Sequence, residues 1–471
     1  MSATTIATLN GETTEITEDE LAQLGSSVRG TLLTDETAGY DEARTVWNAA
    51  IDKRPGLIAR CTGVADVMQA VKFAGKHQLQ VAVRGAGHNI AGRQICEGGL
   101  LIDLSGLQAV HVSPGEKTAR VEPGATLGDL DHATQAFGLA TPLGINSTTG
   151  IAGLTLGGGF GWLSRKYGLT IDNLLSADVV TADGRMLRAS ATENQDLFLG
   201  GRGGGGNLGI VTSFEFGLHE VGPEVLSGLV VYPFKDGQKV LEHYRAFASQ
   251  MPDELNVWTV LRKAPPLPFL PQEVHGSEVV ILAAFYAGEM EAGEQALESL
   301  RGFGEPIADV IGPHPYCGWN AAFDPLLAPG ARNYWKSHNF TELSDGLLEV
   351  VLDYAGRLPS NVSEIFFARL GGAAAAVAPD ATAYPHRDAA YAMNVHTRWE
   401  DADRDQECIQ WAREFFDATA PHATGGVYVN FIPDDEDRVR EAYGVNYDRL
   451  VELKGKYDPG NLFRLNQNVK P

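Results

Sequence analysis

Apolar positions in the first half of the chain come in short groups. Val64, Val67, Met68 and Val71 recur at helical spacing, with Thr62 placed to cap the start of a helix and Gly75 to end it. Val81-Ala-Val83 is a short β-type run. Further short strands are predicted at 100–103, 110–112 and 118–121, and a helix near 127–137. Asp183-Gly184 between two alternating runs predicts a hairpin over 177–188. Another strand is expected at 210–216. This half reads as α+β with small sheets. From about residue 222 the elements lengthen, with strands at 226–232, 257–261, 278–286 and 362–370. Helices are expected at 240–249, 290–300, 345–354 and 403–419. Strands separated by helices suggest one sheet covered by helices. The last stretch reads as a strand at 427–431 and helices at 436–443 and 448–456. The expected organisation is residues 1–220, then 221–422, then 423–471 folding back on the first part.

Composition narrows the function classes. The chain has 471 residues, 44% hydrophobic and 21% charged, which is globular. With 60 acidic and 37 basic residues its net charge is −23, a surface that repels phosphate backbones and anionic lipid. No apolar run reaches the roughly 20 residues of a membrane span. No secretory signal is visible at the N-terminus. Cys61, Cys96, Cys317 and Cys408 are widely spaced and form no C-x-x-C pair, so neither a disulfide framework nor a metal site is expected. A cytoplasmic location follows as the expectation, with no nucleic-acid or membrane partner.

Glycine changes the picture more than charge does. Of 54 glycines, three clusters fall at 85–92, 144–161 and 200–209. A glycine loop after a strand can turn several backbone N–H groups toward one anion. Arg84-Gly-Ala-Gly-His88 has that character, but it lacks the G-x-G-x-x-G spacing and the downstream acid of a nicotinamide site. Three clusters within a short stretch point to an extended ligand threaded between loops, and a dinucleotide is long enough. His88, at the end of the first loop, is either a hydrogen-bonding residue or a nucleophile facing that ligand.

Val83-Arg-Gly-Ala-Gly-His88-Asn-Ile-Ala-Gly92 resembles the flavin-attachment loop of the berberine-bridge-enzyme-like oxidases, within the vanillyl-alcohol-oxidase/PCMH flavoprotein superfamily. Other stretches agree in order: 148–161, Lys166-Tyr-Gly-Leu-Thr-Ile-Asp-Asn173, Asp196-Leu-Phe198, 202–212, Tyr428-Val-Asn430 and Tyr457-Asp-Pro459 with Asn461. The likeness spans about 40–471, and the type of bacterial 6-hydroxy-D-nicotine oxidase is especially similar. The resemblance implies an α+β, two-domain PCMH-type fold and bound FAD. It implies that Arg84, Gly85, Ala86, Gly87, His88, Asn89 and Gly92 form the attachment loop, with His88 bonded to the flavin. Asn146, Thr148, Thr149, Gly150, Gly153, Gly157, Gly158, Gly159 and Gly161 would line the cofactor path. Gly206, Gly209, Ile210, Val211, Tyr428, Asn430, Asn466 and Asn468 would complete it. Many members carry a second link through a Cys in G-[VI]-C-x-T. Here the stretch is Gly144-Ile-Asn146-Ser-Thr148, so a single attachment through His88 is expected.

The implied reaction removes hydride from a C–H beside oxygen or nitrogen of a small molecule, with O2 taking the electrons from the flavin and giving hydrogen peroxide. A dehydrogenase using another acceptor, or a flavin-binding protein without turnover, are the alternatives. Tyr428 is either the assisting base or a packed tyrosine. On the strand 363–370, alternation sets Glu364, Phe366 and Ala368 on one face and Ile365, Phe367 and Arg369 on the other. Either Glu364 or Arg369 could orient substrate, and period alone does not choose. The stretch Asn394-Val-His396-Thr-Arg398-Trp399 is polar and aromatic enough to line a pocket, while His338, His386 and His396 otherwise read as structural. Asp434-Asp-Glu-Asp437 reads as a solvated loop and helix start. Thr149 falls near the position that governs oxygen access in the family. No metal is expected.

Overall fold

The structure, a computed structural model, describes residues 3–471. It is α+β. In the first half, Thr31–Leu33, Leu57–Arg60, Leu100–Asp103 and Val81–Arg84 make a four-stranded sheet in that order, and the last three strands run parallel. A five-stranded antiparallel sheet follows in the order Met186–Ser190, Leu174–Val180, Ile210–Gly217, Thr118–Val121, Val110–Ser113. The hairpin at Asp183-Gly184 is present, with Val180 opposite Met186.

The second half is built on one antiparallel sheet. Its main order is Ala308–Asp309, Glu224–Pro233, Glu278–Tyr286, Leu255–Lys263, Glu364–Arg369, Tyr391–Trp399, Arg332–Phe340. Alternation sorts its side chains. Leu255, Val257, Leu261, Ile365 and Phe367 pack under the helices Gly237–Ala248, Met290–Arg301, Asp345–Ala355 and Asp405–Thr419. Trp258, Phe285, Ala368 and Ala392 turn the other way, against Phe160, Trp162 and Tyr428. That second face is what the sheet presents to the glycine loops. The C-terminal stretch packs back on the first half: Val427, Ile432, Tyr443, Leu450 and Val469 share a core with Val121, Leu130 and Phe214. Among the described residues, no helix is long and apolar enough to cross a membrane.

Several expectations need correction. The helix Val64–His77 is capped by Gly63, not Thr62. Thr62 instead donates its N–H and hydroxyl to Asp66, at 2.8 and 3.1 Å. Gly75 does not end the helix; Gln78 does, in a left-handed conformation with φ 52°. Residues 427–431 are not a strand. Val429–Phe431 is a 3-10 turn, closed by the Phe431 N–H on the Tyr428 carbonyl at 2.9 Å. The helix expected from 436 begins at Val439, because Glu436 leaves the helix to pair with Lys336 at 3.0 Å. With Asp435 accepting from Tyr334 Oη at 3.0 Å, the acidic run pins a loop rather than floating in solvent. Two strands, Arg332–Phe340 and Tyr391–Trp399, were not among those expected.

Candidate active site

Between the glycine loops and the free face of the sheet lies a long cleft, about 1990 Å³ including space open to solvent. The attachment loop runs along one wall. The strand Val81–Arg84 delivers it, and Arg84 is held there by a buried ion pair with Asp103 at 2.7 Å. Arg84 therefore anchors the loop and does not line the cleft. Past it, the backbone N–H groups of residues 85–89 have no acceptor among the described residues. Residues 85–89 all line the cleft, so this run of unpaired backbone donors is available there to a bound anion.

The glycines divide into two groups. Gly153 and Gly206 line the cleft, and a Cβ built on either meets nothing within 4 Å. They keep room for a ligand. Gly157 also lines it, but there a Cβ would lie 2.2 Å from Asn430 Nδ2, so this glycine lets the C-terminal turn close. Gly85, Gly150 and Gly209 are lining residues as well, together with Ala86, Gly87, Asn89, Asn146, Thr149, Ile210, Val211 and Asn466. Gly92, Gly158, Gly159 and Gly161 are not; each packs against neighbouring protein, as where a Cβ on Gly159 would fall 2.2 Å from Thr170 Oγ1. Asn468 also lies off the cleft.

His88 stands at the end of the donor run, mostly buried, with Trp47 stacked on its ring at 5.2 Å. Its Nε2 is 3.3 Å from Thr148 Oγ1, so Thr148 acts through His88 without lining the cleft itself. Burial pushes the imidazole down to about 4, only partly opposed by Thr148, which leaves a neutral ring with a free lone pair at pH 7. Asn146 holds the loop through its Oδ1, which accepts from Thr148 N at 3.0 Å and Thr148 Oγ1 at 2.6 Å. None of the four cysteines lines the cleft.

Beyond His88 the walls become aromatic: Trp47, Phe160, Trp258, Trp335, Phe366 and Phe431. The turn at 428–431 brings Tyr428, Val429, Asn430 and Phe431 all to the cleft, which an alternating strand could not do. Tyr428 Oη accepts from Gly159 N at 3.2 Å and Asn430 Nδ2 at 3.0 Å. Burial nevertheless pushes this phenol up to about 12, because no cation faces it. Tyr428 is thus a neutral hydrogen-bonding group at pH 7.

The one carboxylate lining the cleft is Glu364. It is 9% exposed, paired with Arg262 Nη1 at 2.7 Å and 3.3 Å from His396 Nδ1. Arg369 falls on the opposite face with Ile365 and Phe367, donates to the Ala390 carbonyl at 2.9 Å and lies over Tyr391. Alternation had allowed either, and the packing of Ile365 and Phe367 under the helices removes Arg369 from the site. His396 lines the cleft, whereas His338 and His386 bond backbone carbonyls of Phe416 and Ala442, both at 3.1 Å. Arg262 and Asn333 were missed altogether. Their only signal is a polar residue at an inward register position of a strand. Among the described residues, no cluster of His, Cys, Asp and Glu is arranged to hold a metal ion.

A run of unpaired backbone donors beside a cleft that continues into an aromatic chamber suits a nucleotide cofactor. Residues 55–190 match the family described as "FAD binding domain", and residues 427–470 match "Berberine and berberine like". The chain is 33% identical over 430 residues to an FAD-linked oxidoreductase of Dictyostelium discoideum, covering 90% of this chain and 91% of that protein. It is 29% identical to (R)-6-hydroxynicotine oxidase of Paenarthrobacter nicotinovorans, covering 94% and 97%. The crystal structure of 6-hydroxy-D-nicotine oxidase from Arthrobacter nicotinovorans superposes with a TM-score of 0.85 at 26% identity, covering 94% and 98%. The chain belongs to the berberine-bridge-enzyme-like family of FAD-linked oxidoreductases.

Proposed function

We propose that the protein is an FAD-dependent oxidase that oxidises a CH–OH or CH–NH carbon of a small molecule, with its FAD bonded to His88 alone. The observation that carries this reading is the run of unpaired N–H groups at residues 85–89 ending at a neutral histidine and opening on the aromatic chamber. The residues fit FAD: the run suits the pyrophosphate, Gly153 and Gly206 leave space for the nucleotide, and His88 has a lone pair for the link. When bound, FAD supplies the hydride acceptor and hands electrons on to O2. The protein's part is to flatten the substrate between aromatic rings, exclude water and hold the proton that the substrate loses. Glu364 is the ionised group at the cleft that can take that proton, and Tyr428 is a neutral hydrogen-bonding group beside it. The absence of a cysteine at the cleft supports a single link. Its relatives include a hydroxynicotine oxidase and a carbohydrate oxidase, which supports an amine, alcohol or sugar as the substrate.

Two measurements test it. Acid-denatured protein, freed of unbound flavin and digested, is expected to yield one flavinylated peptide, containing His88. His88→Ala should abolish it. Flavin that washes away entirely, or a second modified peptide, would refute the attachment. Anaerobic mixing with amines, alcohols, sugars and phenolic metabolites is expected to bleach the flavin with at least one of them. Re-aeration should then give hydrogen peroxide. Bleaching without peroxide in air would make the protein a dehydrogenase, and no bleaching with any of them would remove the enzymatic reading.

A further inference from the structure

The position of His88 is set from far away in the chain. Trp47 stacks on its ring at 5.2 Å, and Thr148 Oγ1 lies 3.3 Å from its Nε2. Both neighbours are tied to one short turn in the second half of the chain, the 3-10 helix Asp324–Leu327. That turn lies in the connection between the helix Tyr316–Asn320 and the strand Arg332–Phe340.

On the Thr148 side the tie is a carboxylate. Asp324 Oδ1 accepts from Ser147 N at 2.9 Å, and its Oδ2 accepts from Ser147 Oγ. Two charge-assisted bonds to one residue fix its backbone and its side chain together. Ser147 sits between Asn146 and Thr148, and Asn146 Oδ1 accepts from Thr148 N and Oγ1. Asp324 thus holds from outside the same three residues that Asn146 closes from within. On the Trp47 side the tie is the indole, whose Nε1 donates to the Leu327 carbonyl at 2.8 Å. Arg398 adds to it: its guanidinium lies over the Trp47 ring at 5.3 Å and donates to the Ala328 carbonyl. Neither tie is local. They join residues 177 and 280 positions apart, so both exist only once the two halves of the chain have docked.

Building on the reading of His88 as the attachment residue, we propose that the turn Asp324–Leu327 positions His88 for bonding to FAD, with Asp324 as the positioning residue. Attachment then waits until the second half of the chain has docked on the first. The step replaces one C–H of the 8α-methyl of FAD and the imidazole N–H by a single C–N bond. Both hydrogens leave as protons. The two electrons enter the flavin ring and pass to O2, which takes up two protons and gives hydrogen peroxide. The imidazole must meet one methyl carbon at bonding range and angle, where a misplacement of about 1 Å can cost on the order of 100-fold in rate. The loop at 85–89 has no acceptors on its own N–H groups and does not supply that precision by itself. Trp47 and Thr148 supply it, and the turn holds both.

The test separates attachment from binding. Full-length protein from riboflavin-starved cells is given FAD in air, and the flavin that stays with acid-precipitated protein is followed against the total bound. Asp324→Ala should bind FAD as the parent does and attach it about 10-fold or more slowly. Asp324→Asn can still accept from Ser147 N and can donate to Ser147 Oγ, so it should restore most of the rate. Trp47→Phe keeps a ring on His88 but loses the bond to Leu327, and it too should slow attachment. Parental attachment in Asp324→Ala, or in Trp47→Phe where Asp324→Ala does not fold, would overturn the proposal. So would an Asp324→Ala that loses bound and attached FAD in equal proportion, or an Asp324→Asn no faster than Asp324→Ala. NMR of 15N-labelled histidine rings gives a second readout, the His88 signals being those lost in His88→Ala. They should shift or broaden in Asp324→Ala and match the parent in Asp324→Asn. If the parent holds no acid-stable flavin, the attachment reading fails, while these signals still decide whether the turn positions His88.

Discussion

Replacing Arg262 by Met tests the electrostatics of the site without touching the cofactor cradle. Burial by itself would raise the Glu364 carboxyl. Arg262, foremost among the groups opposing burial, brings it down from 4.5 to about 2. At 1.36 kcal/mol per pH unit, that depression is worth roughly 3 kcal/mol to the folded state. A depressed carboxylate stabilises above its unfolded value, so the contribution is complete above about pH 4.5 and fades as pH falls toward 2. Arg262→Met loses the largest part of it at pH 7, His396 and Arg398 supplying the rest, and leaves a buried carboxylate without its nearest cation, for which about 3–5 kcal/mol is the usual cost. In a domain of about 200 residues the midpoint of thermal unfolding should fall by roughly 6–20 °C. Arg262→Met/Glu364→Gln should recover most of the loss, because the orphaned charge goes with its partner. Scanning calorimetry of the parent and the two variants at pH 7 decides it. A single variant within about 1 °C of the parent, or a double variant no better than the single, would refute the pairing as the source of the depressed value.

Other expectations follow from the same geometry. Gly206→Val places a side chain where a Cβ now meets nothing within 4 Å. The protein should fold, with a near-parental circular dichroism spectrum, yet purify with much less flavin as read from its visible-to-ultraviolet absorbance ratio. Tyr428→Phe removes a phenol that burial pushes up to about 12. Flavin reduction should slow by less than the roughly 100-fold expected for loss of a general base, and the pH profile below 10 should not move. Asp131, between the helix Leu127–Gln135 and the helix Tyr316–Asn320, is raised by burial to about 7, with only Asn320 Nδ2 bonded to it at 2.8 Å. A raised carboxyl costs stability as pH climbs from 3.8 through 7. Asp131→Asn should therefore raise the unfolding temperature more at pH 8 than at pH 5.5.

The sequence marked the cradle more clearly than the chamber. The glycine clusters and His88 stand out because close backbone approach admits few other residues. The helices of the second half were legible because their apolar stripes repeat at helical spacing under one face of a sheet. The strands Arg332–Phe340 and Tyr391–Trp399 were not, because their inward positions hold Asn333, Trp335, Ser337, Asn394 and His396 where a core would hold aliphatic residues. Polar residues at buried register positions break the alternation that reveals a strand, and they do so where the chemistry is.

What the chain determined by itself was local: where the backbone must bend closely, where helices run, and that Asn146 offers no thiol. Which face of Glu364–Arg369 meets the cleft was decided only by the sheet's helices covering the other side. That choice brought in Glu364 and left Arg369 out. The pairing of Arg262, Glu364, His396 and Asn333 joins residues up to 134 positions apart, from 262 to 396. Strand register alone makes them neighbours, and a period of two along one strand carries no information about what lies opposite.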